Sequence, residues 1–100
     1  GIGDEPLTST SFTLGRPGPN PTAAGIAVEY ALPRDARVRI SVQDVQGRTV
    51  AVLADGLERA GRRRATWGGR VGNTRASAGL YFLCYETPEG RIVRRFAVAH

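Results

Sequence analysis

One hundred residues make a single domain with one modest core, and leave little room for a substrate cleft and a catalytic constellation as well. The composition is globular, 41% hydrophobic and 23% charged, but the catalytic stock is thin. One His, one Cys, four Asp and five Glu all but exclude a zinc cluster or a Cys–His dyad with orienting partners, so no enzyme and no cofactor are expected. The net charge is +5, and every one of the 14 basic residues is arginine. That balance suits an anionic partner in principle. Scattered as they are, with Arg62-Arg63-Arg64 the one run, the arginines read better as an arginine-for-lysine coding habit, and nucleic acid is not expected. A lone Cys84 rules out an intrachain disulfide. No apolar stretch approaches the roughly 18 residues of a membrane span. The chain opens on Gly1 rather than Met, as a processed or excised piece would.

Residues 1–11 are polar, with Gly, Pro, Ser and Thr, and read as a linker entering a domain over 12–100. Phe12-Thr13-Leu14 is a short first strand. Three prolines in five positions, Pro17 to Pro21, impose a stiff, extended or turning connection that cannot be a helix. Ile26, Val28, Tyr30 and Leu32 then alternate with small or polar residues until Pro33. Val38, Ile40 and Val42 alternate in the same way, so both runs read as half-buried strands. Gln46-Gly47 turns the chain into an apolar segment, Arg48 to Leu53. Asp55-Gly56 and Ala60-Gly61 bracket the next connection, and Leu53 to Ala60 is the one short helix candidate. Arg62 to Trp67 alternates with Arg63, Ala65 and Trp67 on one side. A loop with Gly68, Gly69, Gly72 and Gly79 follows, then the strand Leu80 to Glu86, a Pro88-Glu89-Gly90 turn, and a last strand from Arg91 to Ala99. Six strands and a short first one, with turn residues between them, predict an all-β immunoglobulin-like antiparallel β-sandwich of about seven strands.

Several residues admit both a structural and a functional reading. Trp67 could serve as a carbohydrate-stacking platform in a glycan-binding module, but its alternation with Ala65 places it in the core. Tyr81, Leu83 and Tyr85 share one face and are expected to point inward. The other face of that strand carries Leu80, Phe82 and Cys84, which must either be covered by the domain or form an interaction patch. Cys84 lacks a base, since His100 lies at the terminus. The carboxylate pairs Asp4/Glu5 and Asp55/Glu58 sit in loops without an apolar pocket and read as solvated surface. The glycine loop does not follow a strand and open a helix, so it is no phosphate cradle.

The order of these elements resembles the C-terminal sorting domain of the type IX secretion system, a family related to the immunoglobulin-like module of the flagellar hook-capping protein. The resemblance runs from about Phe12 to Val98. It includes Pro19-Asn20-Pro21, then Ile26, Tyr30, Leu32 and Pro33 of a strand ending in Leu-Pro. It continues through Val38, Ile40, Val42, Asp44, Gly47, Arg48, Val50 and Leu53, then Ala60-Gly61 and Trp67. It closes with Gly79-Leu80-Tyr81-Phe82 and the basic pair Arg94-Arg95 before Phe96. The chain departs from the family at Thr22, where an aromatic usually follows Asn-Pro, at Gly68, where an acidic residue follows the Trp, and in a loop from Arg70 to Ser77 that lacks acidic residues.

The resemblance implies a non-catalytic delivery module at the C-terminus of a secreted bacterial protein. Such modules pass through the periplasm to the cell surface and are recognised by the outer-membrane export machinery. Arg94, Arg95 and Phe96 are then the export-recognition candidates, Leu80, Phe82 and Cys84 the interaction-patch candidates, and Asn20, Pro21, Tyr30, Leu32, Trp67, Gly79 and Tyr81 the motif that builds the core. The alternative is a self-assembling immunoglobulin-like subunit of a surface appendage, a homo-oligomer formed by strand addition at exposed sheet edges.

Overall fold

The computed structural model describes residues 11–100, so the linker expected over 1–11 lies, Ser11 apart, outside the described residues. Nine strands and no helix are found among them: β1 (Thr13–Leu14), β2 (Ile26–Leu32), β3 (Ala36–Gln43), β4 (Thr49–Glu58), β5 (Gly61–Trp67), β6 (Arg70–Val71), β7 (Thr74–Arg75), β8 (Gly79–Thr87) and β9 (Gly90–Val98). The chain is therefore all-β. Its sheets, ordered β1-β2-β5, β4-β3-β8-β9 and β6-β7, are antiparallel throughout.

The period-two sequence pattern decides which faces meet. In the three-stranded sheet Ile26 lies opposite Trp67, Val28 opposite Ala65, and Tyr30 opposite Arg63, so one face collects the apolar set. In the four-stranded sheet Val38, Ile40 and Val42 of β3 share a face with Tyr81, Leu83 and Tyr85 of β8 and with Phe96 and Val98 of β9. These two faces form one continuous core, as in a β-sandwich. Aromatic rings join the layers. Trp67 meets Phe96 edge-on at 5.8 Å and tilts against Tyr81 at 5.6 Å, while Tyr30 packs edge-on against Tyr85 at 5.3 Å. The Tyr85 hydroxyl donates to the Ala31 carbonyl at 3.0 Å, one sheet bonding to the other. Burial, with a smaller contribution from Glu58, pushes the Tyr85 phenol up to about 12.

Two local features differ from expectation. The segment expected to turn at Asp55-Gly56, and to offer a helix over Leu53 to Ala60, is one long strand, β4. Its pairing with β3 slips at Ile40/Ser41 and again at Val42/Gln43. Each slip is a bulge that sets two consecutive residues against the core, and Val50, Ala51, Leu53 and Ala54 all pack there. Apolar residues spaced in that way imitate a helical period. The glycine loop also holds a small hairpin, β6–β7, whose following residue Ala76 is buried and bonded through its N–H to Gly69.

The β3–β4 turn is organised by Asp44. Its carboxylate accepts the N–H groups of Gln46 (2.9 Å) and Arg48 (3.0 Å) and the Arg48 guanidinium (2.9 Å), and Gly47 supplies the positive φ of 82°. Desolvation acts to raise this carboxyl. The backbone donors of Arg48 and Gln46 and the Arg48 charge outweigh it, so Asp44 sits below its ordinary value.

Candidate interaction surfaces

Two surfaces hold the residues singled out from the sequence. The first is the free edge of β9. Here the proline-rich segment returns across the molecule, with cis peptide bonds before Pro19 and Pro21. Thr22 forms an isolated parallel bridge with Val98: its N–H donates to the Ala97 carbonyl at 2.9 Å, and its carbonyl accepts from Ala99 at 2.8 Å. Asn20 adds a side-chain cap, its Oδ1 accepting the Ala97 N–H at 3.0 Å. Thr22 is itself buried, its hydroxyl donating to the Gly25 carbonyl at 2.6 Å. A small hydrogen-bonding residue fits that position.

Further along the same edge, Arg94 donates through Nε (3.0 Å) and a terminal nitrogen (2.8 Å) to the Leu14 carbonyl. That fork ties β9 to β1 across the open side of the two layers. Arg95 projects from the opposite face of β9, level with Phe82. Both arginines are exposed. Phe96 is not: it is fully buried, stacked on Tyr81 and edge-on to Trp67. Because the folded chain hides it, the expected recognition set narrows to Arg94 and Arg95.

The second surface is the outer face of the four-stranded sheet. Register places Val52, Ser41, Cys84 and Val93 in one row across it, with Phe82 in the next row and Leu80 beyond. Val52 (49%), Leu80 (44%) and Val93 (41%) are exposed and Phe82 is half-buried, whereas Cys84 and Ser41 are fully buried between their neighbours. Cys84 therefore cannot contact a partner directly, and the expected patch narrows to Leu80 and Phe82, joined by Val52 and Val93. Burial pushes the Cys84 thiol up, against a weaker opposing pull from Arg91, whose guanidinium nitrogen lies 3.9 Å from Sγ. A thiol so held is a poor nucleophile. Among the described residues Ser41 Oγ has no hydrogen-bond partner.

The remaining motif residues are structural in this fold. Tyr30, Leu32, Trp67 and Tyr81 lie in the core, and Pro21 and Gly79 are exposed, both beside the C-terminal end of β9 near Val98. Tyr30 donates to Glu58 at 2.7 Å, Trp67 Nε1 to the Arg70 carbonyl at 3.1 Å, and Tyr81 to the Ser77 carbonyl at 2.7 Å. His100 rests against the Ala76 carbonyl at 2.9 Å. Among the described residues no group of His, Cys, Asp and Glu side chains is placed to hold a metal ion, and no helix is long and apolar enough to cross a membrane.

No protein-family model and no curated protein matches the chain. Sequence reasoning found the β9 arginines through the resemblance but missed Arg16, which lines the same edge cleft. Nothing local to Arg16 signals this, because the segment that holds it runs from a bridge at Ala27 of β2 to one at Val98 of β9, in the other sheet.

Proposed function

We propose that this chain is an immunoglobulin-like C-terminal sorting and anchoring domain of a secreted bacterial protein, recognised by the type IX export machinery. The observation that carries the reading is the ordered run of motifs from Pro19-Asn20-Pro21 to Arg94-Arg95. Its alternating apolar residues on β2, β3 and β5, with Tyr81, lie in the core, and the Arg94-Arg95 pair stays at the surface on the last strand. A module read by another protein needs such a division, with a stable body and a distinctive exposed strand. The test is a fusion of residues 1–100 to a periplasmic reporter in a bacterium with that machinery. Export of the reporter supports the reading, and retention in the periplasm overturns it.

A second reading, a self-assembling subunit of a surface appendage, is favoured by the exposed apolar residues Val52, Val93 and Leu80 on the outer sheet face. Electron microscopy of concentrated protein separates the two readings, since a sorting domain has no reason to form regular filaments.

A further inference from the structure

Arg16, Arg94 and Arg95 line one cleft of about 270 Å³ at the open edge of β9, together with Pro17, Asn20 and Val93. Three features make this cleft a collection of donors. Among the described residues no carboxylate lines it, and neither Arg16 nor Arg95 has an ion-pair or hydrogen-bond partner. Arg94 is held in place by its fork onto Leu14, which fixes a guanidinium in advance of any ligand. Asn20 spends Oδ1 on the Ala97 N–H, so its amide nitrogen, a double donor, is left for the cleft.

The backbone adds to this. Along an edge strand the N–H groups of alternate residues point outward. Ala97 and Ala99 donate outward, to Asn20 and Thr22, so Val93 and Arg95 turn their N–H groups to the same side, beyond the reach of the Thr22 bridge. The residues that line this small cavity thus carry two uncommitted guanidinium groups, the remaining donors of Arg94, an amide and outward strand N–H groups, which match a compact oxyanion with several acceptor oxygens.

We infer that the β9 edge cleft binds a phosphate monoester, held by Arg16, Arg95 and the pinned Arg94. A dianion suits three uncompensated guanidinium groups better than a single carboxylate does. The inference does not rest on the delivery reading, because it concerns the ligand chemistry of the chain by itself. A free ester and a phosphorylated headgroup share that chemistry.

The test is nuclear magnetic resonance of the whole chain, following arginine Nε–H and backbone signals at constant ionic strength. The probes are inorganic phosphate and glucose 6-phosphate, with glucose as control. The expected result is saturable shifts at Arg16, Arg95 and the Val93 and Arg95 amides, with a Kd on the order of a millimolar. Arg16→Gln/Arg95→Gln should weaken binding about tenfold or more, while Arg37→Gln, on another strand, should leave it unchanged. Neither change removes a core contact, and the dispersion of the other amides verifies folding. Co-sedimentation with phosphatidic acid vesicles, lost in the double variant, would assign a headgroup. Saturation by the soluble probes without vesicle capture would assign a free ester. Shifts that never saturate, spread equally over Arg62 and Arg64, or persist in the double variant would overturn the inference.

Discussion

Asp44 sets the conformation of five residues with one carboxylate, and its bonds have a pH signature. Its folded pKa lies below its ordinary value of 3.8, so the stability it contributes is present above that value and is lost as pH falls through the folded pKa. Asp44→Asn should therefore melt at a lower temperature than wild type near neutral pH, with the gap closing as the solution is acidified below 3.8; a thermal melt series read by circular dichroism measures this. Ser41 works in the other direction. Its fully buried hydroxyl lacks a partner among the described residues, and an unpaired buried polar group costs about 1–3 kcal/mol. Ser41→Ala removes that group and leaves a small side chain in a filled site, so chemical denaturation should show equal or higher stability with an unchanged m-value.

Among the elements, the junction between β2 and β5 is the least forgiving. Gly25 enters β2 beside the end of β5, and a methyl group there would run into the Trp67 carbonyl. Gly25→Ala must displace the backbone that positions Trp67, and a loss of about 1–3 kcal/mol, with a change in Trp67 fluorescence, is expected. The elements also show what was legible in the sequence. β2 and β3 carry an apolar residue at every second position and could be read from that alone, while β5 was legible from Ala65 and Trp67 alternating with Arg64 and Thr66, in regular register with β2. β4 could not, because two bulges put neighbours such as Leu53 and Ala54 on the same side and broke the period that identifies a strand. The doubly apolar β8 was recognisable, but that Cys84 is covered while Leu80 is open depends on Ser41, Val52 and Val93, which come from three other strands. The β9 cleft was illegible for the same reason: Arg16 and Arg95, far apart in sequence, come to line one cleft only in the folded chain.

At the scale of the whole molecule, the ring contacts between Trp67, Tyr81, Phe96, Tyr30 and Tyr85 occupy the space between the sheets, and the exposed chemistry is pushed to an edge and to one outer face. Function is then a matter of what those surfaces present to a partner. The most direct measurement is the location of a reporter carrying residues 1–100, compared between a strain with type IX export and the same strain lacking it. Surface or medium localisation only in the competent strain, reduced by Arg94→Gln/Arg95→Gln in a still-folded domain, is the predicted result. Equal periplasmic retention in both strains would contradict it.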